Sequence, residues 1–339
     1  MHNNNFNFLR LVGAILVIFS HSFYITGEDA LESVNLLTHN QFEASAFGLC
    51  IFFFISGFFV TKSAIDSETV LLFLKKRFLR IFPALITLVV LSVFVMGPII
   101  TQLTVKEYFL NVETWKYLTT ISGFKIQMNL PGVFTDNHFN VNSVNTSLWT
   151  ISLELKLYVS LIILVTLLRN KKVLKYAMLS LLLTCYTVLA FKTTMDYVIT
   201  INLVSVFCLG SFVYLAELNK KQVWISLLTI SIAYVFLKLT NPSHFNPAFL
   251  LLPVLSLPVF LIGFSQKIKL RINHDISYGI YIFAFPIQQI IYQIADYNIS
   301  TFPLFFFTLL ITIPLAFASW IFIEKPCIQL KHKKLPLFG

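Results

Sequence analysis

The sequence predicts an all-α, polytopic integral membrane protein of about ten transmembrane helices, N-in and C-in. Three observations carry this. The chain of 339 residues is 57% hydrophobic and 12% charged, with a mean hydropathy of +0.80. A soluble domain is nearer a quarter charged. Apolar runs of spanning length recur along the whole chain. Lys and Arg collect in alternate connecting segments, the pattern that sets membrane orientation.

The runs lie at roughly 8–26, 44–63, 81–100, 147–168, 175–192, 197–217, 222–240, 247–265, 276–295 and 302–323. Several contain Gly or Pro, which membrane helices tolerate. Only the short KTTMD break separates the fifth from the sixth. With the N-terminus in the cytoplasm, the inside segments hold Arg10, Lys62, Lys75, Lys76, Arg77 and Arg80. They also hold Arg169, Lys171, Lys172, Lys175, Lys220, Lys221, Lys267, Lys269 and Arg271, and the tail holds Lys325, Lys331, Lys333 and Lys334. Only Lys106, Lys116, Lys125, Lys192 and Lys238 fall outside, with Lys156 inside a span. The net charge of +10 is then topology plus attraction to anionic lipid, and nucleic acid is not expected as a partner.

One domain, 1–339, is expected, with an external loop at 101–146 and a short cytoplasmic tail at 324–339. The N-terminus lacks the small-residue cleavage site of a signal peptide, so the first helix is expected to stay. The four cysteines lack metal-type spacing and read as small buried hydrophobes.

Ionisable groups within spans point to chemistry. Arg10 enters the first span and His21 lies eleven residues on, roughly 16 Å of helical rise. A neutral imidazole takes or relays a proton, or else hydrogen-bonds a neighbouring helix. Glu154, in the fourth span at similar depth, is able to orient that imidazole or to form an ion pair between helices. Lys156 faces elsewhere, because helical neighbours are three or four apart. Arg77 and Arg80 are three apart, spaced as a phosphate clamp or as positive-inside anchors. Ser56 and Gly57 interrupt an aromatic span and read chiefly as packing. The ninth span carries Tyr278, Tyr281, Gln288 and Gln289, and Tyr278 suits an interfacial belt.

These residues together resemble the membrane-bound acyltransferase family 3, the family of O-antigen, capsule and Nod-factor O-acetyltransferases. Arg10 and His21 match its Arg-x10-His helix, and FFFISGFFV its Ser-Gly motif. RFLR matches its Arg-x-x-Arg motif. LPGVF followed by VNTSLWTISLELKLY is similar to its loop block with the downstream glutamate. SYGIYIFAFPIQQ and IEKPC are similar to its last two motifs. Thr146 stands where Gly is common, and Ala284 where many members carry His, so no catalytic role falls on that position. No fused soluble domain is expected after the tenth span, unlike in some members.

The resemblance implies a multi-pass enzyme of the inner (cytoplasmic) membrane. Its donor would be a cytoplasmic acyl-CoA, by default acetyl-CoA. Its acceptor would be a hydroxyl on an external polysaccharide or lipid-linked glycan such as lipopolysaccharide or capsule. Arg10, Arg77 and Arg80 would hold the CoA phosphates. His21 would be the general base and Glu154 its support. Asn145, Trp149 and Tyr278 would contact substrate. No tightly bound cofactor and no metal are expected; the partners are acyl-CoA, the glycan and membrane lipids. A secondary transporter with a His/Glu proton relay, or a non-catalytic partner in glycan export or assembly, are the competing classes.

Overall fold

The computed structural model describes residues 5–38, 42–137, 143–191, 197–240, 250–270 and 272–332. The KTTMD break and part of the long loop, 138–142, lie outside the described residues. Ten helices of 13 residues or more are present among the described residues. They are α1 Phe6–Thr26, α2 Ala44–Ile65, α3 Val70–Leu91, α4 Trp149–Leu168 and α5 Lys171–Phe191. The others are α6 Val198–Leu215, α7 Lys220–Thr240, α8 Leu251–Gly263, α9 Ser277–Ile294 and α10 Thr301–Ser319. The only β-type pairing among the described residues is an isolated bridge between Asn129 and Ser143.

Eight of these helices are long and apolar enough to cross a membrane. The expectation of about ten spans is therefore met for eight. α8 is described for only 13 residues. α9 has 18 residues, but Gln288, Gln289 and four other strongly polar or phenolic side chains lower its apolarity. Most of those side chains are buried in protein, so the helix does not need the hydropathy of a lipid-facing one. α3 starts at Val70, well before the expected 81, because its first turns carry the basic cluster. α3 and α10 each run into a π-helical turn, at Ser92–Met96 and Trp320–Glu324, which adds one residue to a turn before α-helix resumes.

The chain divides into two units, each assembled from separate segments. The first comprises residues 1–13, 46–70 and 157–273. In it, the Asn5 side chain donates to the carbonyls of Ile262 and Ile268 at 2.8 Å and accepts from the Leu270 N–H at 3.0 Å. Phe6 packs where a side chain on Gly263 would otherwise stand. α2 and α6 cross with their backbones in close approach. A Cβ on Gly57 would collide with the Phe207 carbonyl, and one on Gly210 with that of Phe54. Thr61 donates to Ser211 Oγ at 2.9 Å beside this crossing. The Ser-Gly segment is thus a packing device. This unit also holds an apolar cavity of about 530 Å³ lined in part by Phe58, Tyr214, Phe260 and Phe264.

The second unit comprises residues 14–45, 71–156 and 274–339. α9 is its spine, packed along α10. The described part of the long loop is itself folded, with short helices at Val105–Leu110 and Val112–Lys116. Thr104 and Glu107 form a capping box at its start. The Thr104 hydroxyl and N–H hold the Glu107 carboxyl below its usual range. Tyr108 is fully buried and donates to the Val93 carbonyl at 3.0 Å. Burial pushes its phenol up to about 12. Gly97 leaves the space that the Tyr108 hydroxyl occupies.

Candidate functional site

The site residues of the second unit can be placed by following α9 from its start. Immediately before it, Asp275 accepts from Arg80 Nη2 at 2.6 Å and from Ser277 Oγ at 2.6 Å. The Arg80 guanidinium lies 6.0 Å from the Trp320 ring centroid, and the Trp320 indole N–H donates to His274 Nδ1 at 3.2 Å. Glu324, in the π-helical turn after α10, is 1% exposed and accepts from Ser319 at 3.1 Å. Arg80 is therefore set in a frame with carboxylates. Arg77, one turn earlier, lies 6.0 Å from the Phe73 ring centroid. Tyr278 donates to the Ile81 carbonyl at 2.9 Å, tying α9 to α3.

One turn further along α9, Tyr281 donates to the Ser147 carbonyl at 2.9 Å and shares a 2.6 Å hydrogen bond with Thr150. Glu154 lies one turn along α4 from Thr150, in electrostatic reach of the Tyr281 hydroxyl. Asn145 is fully buried; its Nδ2 donates to the Ile282 carbonyl at 2.7 Å, and its Oδ1 accepts from the Ser147 N–H at 3.1 Å. Asn145 thus fixes the entry of the chain into α4. Trp149, the first residue of α4, is half-buried.

The next turn of α9 carries Phe285, whose ring meets His21 edge-on at 5.2 Å between centroids. His21 is half-buried, and its nitrogens form no hydrogen bond to any described residue. No direct bond joins His21 to Glu154. The residues flanking His21 are firmly held. Ser20 donates to Glu32 Oε1 at 3.0 Å, and Ser22 accepts from Gln288 Nε2 at 2.7 Å. Glu32 is 2% exposed and also accepts from the Ala44 N–H at 2.7 Å and the Asn35 N–H at 2.6 Å. A buried carboxylate and a buried amide thus pin α1 on both sides of the imidazole.

The second unit accordingly gathers His21, Arg77, Arg80, Asn145, Trp149, Glu154 and Tyr278, with most of their described contacts running to α9 or its flank. Arg10 belongs to the first unit, on the earlier part of α1. Sequence reasoning passed over Asp275, Glu324 and Glu32. Asp275 and Glu324 border or lie within the two last motifs, and that position was their signal. Glu32 lies in none of the motifs, so nothing in the sequence marked it.

A family model described as an acyltransferase domain matches residues 3–321. The chain belongs to acyltransferase family 3. Among curated members, it is 26% identical to an O-acetyl transferase of Shigella phage Sf6 over 99% of this chain and 100% of that one. It is 33% identical to nodulation protein 10 of Rhizobium leguminosarum bv. viciae over 50% of this chain and 46% of that protein. No solved structure matches. Within acyltransferase family 3, the chain is a multi-pass membrane member, with eight helices long and apolar enough to cross among the described residues.

Proposed function

We propose that the protein is an O-acetyltransferase that moves an acetyl group from cytoplasmic acetyl-CoA to a hydroxyl of an externally facing cell-surface glycan. The observation that carries the reading is His21: an imidazole whose nitrogens bond to none of the described residues, held on a helix whose neighbouring residues are fixed, in a chain of acyltransferase family 3. The relative named O-acetyl transferase, matched over its full length, supports the acetyl group as cargo. The distribution of Lys and Arg supports an inner membrane with both termini inside.

In this mechanism His21 takes the proton of the acceptor hydroxyl as that oxygen attacks the thioester carbonyl. The C–O bond forms and the C–S bond breaks. The imidazolium returns its proton to the leaving sulfur, giving free CoA and the acetyl ester. Arg77 and Arg80 hold the CoA phosphates. Asp275 engages Arg80, so Arg80 would meet the phosphates as one half of an ion pair. Glu154 acts through the Tyr281–Thr150 cluster, where a negative charge favours the imidazolium at longer range.

The test is acetyl-CoA binding and turnover by the purified protein. His21→Ala should keep binding and lose about 10²–10⁴-fold in turnover. Arg77→Ala should lose binding. A folded wild type that neither binds nor consumes any acyl-CoA would sink the reading in favour of transport or glycan binding.

A further inference from the structure

The apolar cavity of the first unit has no part in the proposed transfer. Its volume, about 530 Å³, falls within the roughly 300–1,000 Å³ of small-molecule sites. Phe58 braces its wall, with ring centroids 5.4 Å from Tyr214, 5.8 Å from Phe260 and 5.6 Å from Phe264. Rings supported edge-on in this way make a fixed apolar surface. The turn from α6 to α7 shapes one end. There Glu217 takes the left-handed conformation, at φ 55°, and the Leu218 N–H returns to the Val213 carbonyl at 3.3 Å, a Schellman closure. Asn219 and Gln222 then cap α7 reciprocally, at 2.9 and 3.0 Å. Val213, Leu218 and Asn219 all line the cavity, so a tightly held turn sets this end of it.

Lysines gather at the same end. The Tyr214 ring, part of the wall, has Lys62 Nζ 5.9 Å and Lys171 Nζ 5.4 Å from its centroid, both at cation–π distance. Lys220 lines the cavity and donates to the Phe264 carbonyl at 2.7 Å. An ammonium has three donors, and that carbonyl uses one of them. Lys62 pairs with Asp66 at 2.8 Å and Lys171 with Glu217 at 2.7 Å, while Lys175 is also in electrostatic reach of Glu217. Four ammonium groups thus face two carboxylates, in exposed pairs that open readily. The wall suits a hydrocarbon chain and the rim suits an anion. Pantetheine amides or an adenine would lose hydrogen bonds against Phe rings, so a CoA ester does not fit. An anionic phospholipid fits both parts. The Lys and Arg distribution sets this end at the cytoplasmic face, where basic pockets between helices take lipid phosphates. We propose that the cavity between α2, α6 and α8 seats an acyl chain of an anionic phospholipid, with the lipid phosphate on Lys171 and Lys220 beside the α6–α7 turn. The phosphate then takes the place of Glu217 on Lys171. No step of the acyl-transfer reading is needed for this.

The experiment is native mass spectrometry of the full-length protein released from neutral detergent. The probes are phosphatidylglycerol and phosphatidylcholine with identical chains. Wild type should retain phosphatidylglycerol at least about fivefold over phosphatidylcholine. Lys171→Gln combined with Lys220→Gln should bring the two lipids to near equality; both side chains are exposed, so the fold should survive. Leu218→Trp, which fills the cavity and leaves the lysines in place, should lower phosphatidylglycerol retention by a similar factor. Equal retention of the two lipids by wild type, or an unchanged preference in the lysine variant, would overturn the proposal. If Leu218→Trp fails to fold, deacylated phosphatidylglycerol replaces it as the test of the chain. That headgroup alone should not compete with the lipid at equal concentration, and competition would show capture of charge without a seated chain and overturn the cavity's role. Displacement of the lipid by equimolar acetyl-CoA would give the cavity to the acyl donor and overturn the proposal as well.

Discussion

Arg80 illustrates how one contact redefines a residue. As half of an Arg-x-x-Arg pair it reads as a phosphate ligand. With Asp275 at 2.6 Å it is also an internal ion pair, and the carboxylate is 7% exposed. Removing Asp275 takes a charge-assisted hydrogen bond from Arg80 and leaves the guanidinium near Glu324. Asp275→Ala should therefore destabilise the protein by about 1.5–3 kcal/mol, seen as a lower melting temperature in detergent. Ser277→Ala removes only a neutral donor to the same carboxylate and should cost about 1 kcal/mol. His21 differs in kind. It stood out in the sequence because an ionisable side chain inside an apolar run is costly, and that cost is local. Asp275 did not stand out, because its meaning depends on a guanidinium 195 residues earlier in the chain.

At the scale of elements, hydropathy located most helices to within a few residues. The expected 8–26 and 44–63 correspond to Phe6–Thr26 and Ala44–Ile65, since charged or turn-forming residues bound these runs. It failed where a helix starts in a basic segment, as α3 does, because a window average treats Lys75 to Arg80 as loop. It placed α9 at 276–295, close to the observed Ser277–Ile294, although its glutamines face protein. The long loop was expected only as an external connection at 101–146. Its capping box and buried Tyr108 make it folded. The Glu107 carboxyl titrates below its unfolded value, so its contribution is complete above the ordinary carboxylate range and fades as pH falls through the lower folded value. Hydrogen exchange over 105–110 should quicken as pH drops below about 4, after correction for intrinsic rates, and Glu107→Ala should show no such step. The crossing of α2 and α6 gives a second prediction. Gly57→Val should cost at least about 1–3 kcal/mol by overpacking, whereas Ser56→Ala, lacking a backbone clash, should cost less. Thermal unfolding of both variants checks the order.

At the scale of the whole molecule, neither unit is a continuous stretch of chain. The second unit needs residues from 14–45, 71–156 and 274 onward. Its hydrogen bonds are correspondingly distant: Gln288 to Ile18 spans 270 residues, and Gln289 to Asn137 spans 152. A truncation after Asn273 should therefore leave α1 without its partner and give a protease-sensitive product, even though most apolar helices are present. Limited proteolysis of membranes carrying that truncation would show it, and a product as resistant as the full chain would refute it. There is also a consequence in time. Ribosomes add about 5–20 residues per second, so roughly 15–55 s pass between the making of Ile18 and the arrival of Gln288. Throughout that interval the nascent first helix carries His21 and Ser22 in the bilayer without the helix that later receives them. Birth order makes the early membrane-inserted chain its own most vulnerable form, and the next-to-last helix to be synthesised is the one that ends the wait.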